Sequence, residues 1–130
     1  MSALSDWAEK AVLDWLMGGA TPTRPSARYV ALYTAAPSDS GGGTEVSGSG
    51  YTRKAATFAA ASSPGGTTSN SAAVSFTASG GSWGTITHMG IFDAASGGNL
   101  IWHGALTASK TIGDGDTLEF ATGNIDLTIA

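Results

Sequence analysis

The stretch that decides the fold is Thr85-Ile86-Thr87-His88-Met89-Gly90-Ile91-Phe92-Asp93, followed by Ala94-Ala95-Ser96-Gly97-Gly98-Asn99 and then Leu100-Ile101-Trp102-His103-Gly104-Ala105-Leu106. Two runs rich in β-branched and aromatic residues flank a cluster of Ser, Gly and Asn, residues that turn a chain cheaply, so the segment reads as two strands joined as a hairpin. Alternation in the second run puts Trp102 on the same face as Leu100, which is the inward face.

The same signal recurs on either side. Residues 28–34, 51–58, 72–76, 110–112, 117–120 and 125–129 are short β-rich runs separated by Gly, Ser, Asn and Asp, and Gly123-Asn124 supplies a positive-φ turn between the last two. About eight strands of this kind, with no helical period among them, predict a mainly β domain over residues 21–130. The expected form is a single antiparallel β-sandwich, jelly-roll-like in arrangement.

Upstream the period changes. Residues 2–17 read as one α-helix within an N-terminal unit of residues 1–20, with Ser2 or Ser5 as its cap, Gly18-Gly19 as its stop, and Pro22 and Pro25 barring continuation. At 100° per residue, Leu4, Trp7, Ala8, Ala11, Val12, Trp15 and Leu16 form one broad face opposite Asp6, Glu9 and Lys10. Leu13 and Met17 fall on the charged side and give the helix a second apolar patch. Two readings follow: the helix packs on its own domain, or it docks on a partner through Leu4, Trp7, Leu13, Trp15 and Met17.

Two stretches, residues 38–50 and 61–70, are dominated by Gly, Ser and Thr. In the first, Glu45 and Val46 stand out as a charged and an apolar residue in a glycine-rich run. Fixing such a loop costs about 1 kcal/mol per residue, so it is expected to order on contact with a partner, with Glu45 and Val46 in that interface.

Composition narrows the chemistry. A chain of 130 residues has room for one domain, and with no cysteine it has neither a disulfide framework nor a thiolate metal site. Six Lys and Arg against ten Asp and Glu leave a formal charge of −4, a poor match for nucleic acid. The apolar runs are all shorter than a membrane span, and Asp6, Glu9, Lys10 and Asp14 interrupt any signal-peptide pattern, so synthesis in a cytoplasm is expected.

Reactive constellations are sparse. His88 and His103 fall in neighbouring predicted strands, but apart from Asp93 no third ligand sits at a telling spacing, and no metal or other cofactor is expected. Gly113-Asp114-Gly115-Asp116 is too short for a calcium loop and reads as a tight turn. Gly48-Ser49-Gly50 lacks the strand-to-helix setting of a nucleophilic serine, so no catalytic residue is assigned. Trp83, after Gly80-Gly81-Ser82, is the aromatic expected to be exposed, and as such the candidate contact for a host-surface glycan.

The run from Trp83 to Leu100, with Tyr29-Val30-Ala31-Leu32-Tyr33-Thr34-Ala35-Ala36-Pro37, Glu45-Val46-Ser47-Gly48-Ser49-Gly50-Tyr51-Thr52-Arg53 and Gly113-Asp114-Gly115-Asp116-Thr117-Leu118, resembles a family of small virion proteins of tailed bacteriophages, often labelled tail fibre proteins. The resemblance runs nearly end to end. It implies a non-enzymatic structural part of a phage particle: a fibre or tip component, or a protein decorating the capsid. The partners it implies are other copies of itself and neighbouring tail or capsid proteins. A module recognising host glycans is the alternative.

Overall fold

The computed structural model describes residues 3–62 and 66–129. It is mainly β with antiparallel pairing throughout, and a single helix stands near the N-terminus among the described residues. In chain order the elements are β1 (Ala3–Leu4), α1 (Asp6–Met17), β2 (Arg28–Ala35), β3 (Thr44–Glu45), β4 (Lys54–Ala56), β5 (Thr67–Ser69), β6 (Val74–Thr77), β7 (Gly84–Phe92), β8 (Leu100–Ile112), β9 (Thr117–Phe120) and β10 (Asp126–Thr128).

The main sheet runs β1-β8-β7-β2-β3, with β4 also paired to β2. β2 is central: Val30, Ala31, Leu32 and Tyr33 are all buried, the continuous run expected when both faces of a strand are covered. Its outer edge is shared, with β4 on Arg28 to Val30 and β3 on Tyr33 to Ala35. Leu32 lies in the gap, where its N–H donates to the Tyr51 hydroxyl (3.0 Å) and its carbonyl accepts from the Val46 N–H (2.9 Å). No backbone group of Leu32 is thus left unpaired in the interior.

The predicted hairpin is β7–β8, closed by Asp93, which accepts from the Asn99 N–H (2.7 Å) and its side-chain amide (2.9 Å). The two predicted runs at residues 100–106 and 110–112 prove to be one strand of 13 residues. Their separation has a structural counterpart: Ile86 faces Lys110 and His88 faces Ala105, so residues 106–109 bulge out opposite Thr87 alone. Such a bulge bends a sheet and increases its twist.

Against this sheet lie two small ones, β6–β9 and β5–β10, giving the sandwich-like arrangement. Val30, Leu32, Met89, Ile91 and Trp102 of the large sheet share one buried cluster with Val74, Phe76 and Leu118 of the small ones and with Ile125, just before β10. Phe76 is wholly buried, with Tyr51 stacked on it at 6.3 Å and Phe120 edge-on at 6.3 Å.

Three strands were not legible in the sequence pattern. β1 occupies residues read as the start of the helix, so that helix begins at Asp6 with Ser5 as its cap; Ser2 lies outside the described residues. β3 and β5 arise in the two stretches read as loose loops. β5 is short, but the residue after it, Asn70, is 1% exposed and holds the second layer together. Its amide nitrogen donates to the carbonyls of Ala72 (2.9 Å) and Ala121 (3.0 Å), and its amide oxygen accepts from the Ile125 N–H (2.9 Å). Its own backbone bonds to Ile125 and Gly123.

Removing that amide strands the buried Ile125 N–H, at a cost of about 1–3 kcal/mol, and takes a donor from the part-buried carbonyl bonds of Ala72 and Ala121. Asn70→Ala is therefore expected to lower unfolding stability by about 3 kcal/mol in urea titration. A loss under about 1 kcal/mol would show that the clamp is dispensable.

Candidate docking surface

The helix is held firmly at one end only. The Ser5 hydroxyl accepts from the Ala8 N–H (3.2 Å) and donates to the Leu100 carbonyl, while the Ser5 N–H donates to the Ile101 carbonyl (3.0 Å). The Asp6 N–H donates to the Asp39 carbonyl (2.9 Å), and the Asp39 carboxylate meets His103 Nε2 at 2.7 Å. The Asp6 N–H is thus spent on the turn at residues 38–41 and the Ala8 N–H on the cap, the cap itself is tied to β8, and acidic Asp6 and Glu9 suit the positive end of the helix dipole.

Beyond this anchor little of the helix is covered. Ala8 is its single buried residue; Ala11 and Val12 are half-buried. Trp7 is 37% exposed, Leu13 60%, Trp15 66%, Leu16 57% and Met17 77%. Leu16, read with the core face, is as free as Leu13. Leu4 is the exception among the expected contacts: it lies in β1, opposite Trp102, and packs half-buried against the core cluster.

One flank of α1 forms a groove of about 460 Å³ with the chain that follows it. Trp7, Ala8, Ala11 and Trp15 of the helix line it together with Leu4 and Ile101 and with Pro22, Arg24 and Pro25 of the returning chain. The prolines, read from sequence as a helix stop, therefore also build a wall; no local signal reveals this, because the return of the chain beside α1 is a tertiary fact.

Glu45 and Val46 are placed differently from the sequence expectation. Val46 is 7% exposed and belongs to the core cluster. Glu45 is held by Arg53, whose Nε and Nη2 donate to its two oxygens at 2.9 Å each, and by the Tyr51 hydroxyl at 2.7 Å. Arg53 Nη1 also donates to the carbonyls of Ala94 (3.0 Å) and Gly97 (2.8 Å), and its guanidinium stacks 3.7 Å above the Phe92 ring. The expectation that residues 38–50 order only on contact is corrected: internal bonds fix the loop. Gly43 shows how closely, since at φ 74° a Cβ there would lie 2.7 Å from the Ala35 carbonyl oxygen.

Trp83 is corrected as well. It is 7% exposed, edge-on to Tyr51 at 5.6 Å, and its indole N–H donates to the Ser49 carbonyl (3.1 Å), so it offers no platform to a sugar. Its three-residue Gly-Gly-Ser preface marks a turn into the core rather than an exposed tip. Among the described residues no cluster of three His, Cys, Asp or Glu is placed to hold a metal ion. Among the same residues no helix is long and apolar enough to cross a membrane.

A sequence model of the family described as Podophage GP4 fiber I protein gp80 matches residues 3–128. The chain belongs to that family. It is a phage fibre protein, a structural component of the virion. No curated protein matches it. The match covers the helix, both small sheets and the whole large sheet of the fibre protein, so the exposed α1 surface lies inside the family's own extent.

The Arg53 network gives the fibre protein a signature in acid. Burial pushes the Glu45 carboxyl up, but the Arg53 hydrogen bonds, the Tyr51 hydroxyl and the Arg53 charge together outweigh it, leaving the pKa below the usual carboxylate value. Burial above all, with Glu45 nearby, pushes Tyr33 up to about 12. Because the folded pKa of Glu45 is depressed, its stabilisation is fully present above the unfolded value of about 4.3 and is lost as pH falls through the lower folded value. The stability gap between wild type and Glu45→Gln, measured in urea, is expected to shrink as pH falls from about 5 to 3. A gap that stays constant would show that the ion pair is not its source.

Proposed function

We propose that this fibre protein is a non-enzymatic building block that acts through protein–protein contacts in an oligomeric part of the phage fibre apparatus, attached by α1. The observation that carries this reading is the exposed apolar surface of the helix, where Trp7, Leu13, Trp15, Leu16 and Met17 stand free on two flanks. Taking about 200 Å² for a large side chain, these five offer roughly 600 Å² of apolar surface, at the upper limit of what monomers expose. The standard contact buries about 800 Å² per partner, and because Leu13 and Met17 lie on the far side of the helix from Trp7 and Trp15, the helix supplies a part of such a face to any one partner.

The remaining surface fits the same role. Threonine and serine ladders such as Thr77–Thr117 (2.9 Å) and Thr85–Thr111 (3.0 Å) cover the strands with hydroxyls rather than charges. A surface of this kind repels its own copies weakly. The Glu45–Arg53 pair, which in a cleft would suggest acid–base work, is spent on tying loops together and presents no free carboxylate to a substrate.

The test uses phage particles made without this chain, to which purified protein is added back. Trp15 is two-thirds exposed, so Trp15→Ala is expected to keep its unfolding free energy within about 0.5 kcal/mol of wild type. As an interface anchor worth about 2 kcal/mol, its loss is expected to lower retention on particles about 30-fold. Equal retention would remove the helix from the interface, and unfolding of the variant would make it core.

A further inference from the structure

The second layer of the sandwich is not bonded to the edge of the first. Among the described residues β10 pairs with β5 alone and β9 with β6 alone, while the outer edge of β8 meets β1 only at Trp102 and His103. Alternation fixes which backbone groups are spare. The Ile125 carbonyl accepts from the Asn70 N–H and the Ile129 N–H donates to the Gly66 carbonyl, so these residues turn towards β5, and the backbones of Asp126 and Thr128 turn away from it. On β8 the Ile101 carbonyl accepts from the Ser5 N–H across the outer edge, so the Ala105 backbone faces that edge as well, past Ala3, the described end of β1.

A trough lies between these edges. One part, of about 570 Å³, is lined by Gly104–Ala108 and Lys110 of β8 and by residues 118–120 and 123–127. A second, of about 370 Å³, is lined by Ala3, Leu4, Thr128, Ile129 and the flank of α1 that carries Glu9 and Leu13. Trp102 lines both. It is 3% exposed, and its indole N–H has no hydrogen-bond partner among the described residues. A buried donor is rarely left without an acceptor, and Met89, Leu118, Ile125 and Leu127 add apolar surface around it.

These features suit an extended strand, whose backbone bonds a spare edge while alternate side chains turn inward. A second folded copy fits less well: its edge strands bring their sheets with them, and the bulge at residues 106–109 and the Lys110 charge bar flat edge-to-edge pairing with β8. The strands of this chain are also engaged in its own sheets. Around the trough the exposed Glu9, Glu119 and Asp126 stand against Lys110, a balance that selects a segment carrying Lys or Arg.

We propose that the trough receives an extended, basic segment of another virion polypeptide, which adds a third strand to β5–β10 and gives the Trp102 indole a carbonyl acceptor. This rests on the reading of the chain as a building block and adds a second place of contact to the Trp15 flank of α1.

Amide exchange read by mass spectrometry compares the full chain in solution with the same chain in phage particles. Residues 104–108 and 126–128 are expected to exchange quickly in solution and at least about tenfold more slowly in particles. Thr128→Pro removes a donor that serves no bond among the described residues, whereas Thr128→Ala keeps it, and both lose the same hydroxyl contact with Thr67. Both variants are expected to melt as alike as their shared loss requires. Added back to particles made without this chain, Thr128→Pro is expected to bind about tenfold more weakly than Thr128→Ala, and Asp126→Lys about tenfold more weakly than wild type. The exchange comparison decides the matter even where the proline variant fails to fold.

Exchange that is already slow in the isolated chain, or equally fast in particles, overturns the proposal, as does equal binding of the two Thr128 variants. Slowing that grows with protein concentration in solution overturns it too, because the occupant is then a second copy. Protection of α1 in particles without protection of the trough overturns it while leaving the building-block reading standing; wild type that does not bind particles at all overturns both.

Discussion

The guanidinium of Arg53 is the junction on which the glycine-rich third of the fibre protein depends. Its donors go to the two oxygens of Glu45 and to the carbonyls of Ala94 and Gly97, and its plane covers Phe92. Four separate segments meet there: β3, the run into β4, the end of β7 and the loop at residues 93–99. Gly41, Gly42, Gly43, Gly48 and Gly50 all have positive φ between or beside these segments, conformations with a high entropic cost of ordering. Several charge-assisted bonds, made where the Arg53 side chain is only 8% exposed, offset that cost.

That junction has a counterpart at the other end of the sandwich. Asn70 does with one neutral amide what Arg53 does with a charge: it satisfies backbone groups of chain segments too irregular to pair as strands. Between the two lies a core of ordinary composition, in which Tyr51 stacks on Phe76, meets Trp83 edge-on, donates its hydroxyl to Glu45 and accepts there from the Leu32 N–H. Burial pushes the Tyr51 hydroxyl well above the ordinary phenol range, so it stays a neutral donor. The body is therefore stiff where its sequence is most flexible. The helix is fixed at Ser5 and exposed towards Met17.

Much of the fold was legible. β7 and β8 came from β-branched runs around a turn, β2 from Arg28 through Thr34, and β9 at its observed bounds, because alternation and turn residues are local signals. The helix stop at Gly18 was equally plain, and Gly18 adopts the left-handed conformation at φ 87° that such a stop requires. The candidate contacts divided along the same line. Trp7, Leu13, Trp15 and Met17 are exposed on α1, as an apolar pattern wider than one face suggested. Leu4, Glu45, Val46 and Trp83 are engaged inside the chain, because their partners, Trp102, Arg53, Leu32 and Ser49, lie from 8 to 98 residues away.

The sequence by itself determined what each segment is: β-strand where branched residues recur, helix where good helix formers follow a serine cap, turn where glycine and asparagine cluster. These follow from steric limits on φ and ψ and from side-chain periodicity, which act over a few residues. Only the tertiary structure decided which apolar residues are left over. Whether Trp83 or Trp15 faces water depends on what else arrives beside it, and long-range pairing of β1 with β8 and of Arg53 with Ala94 and Gly97 gave the body its closure while leaving the last turns of α1 uncovered.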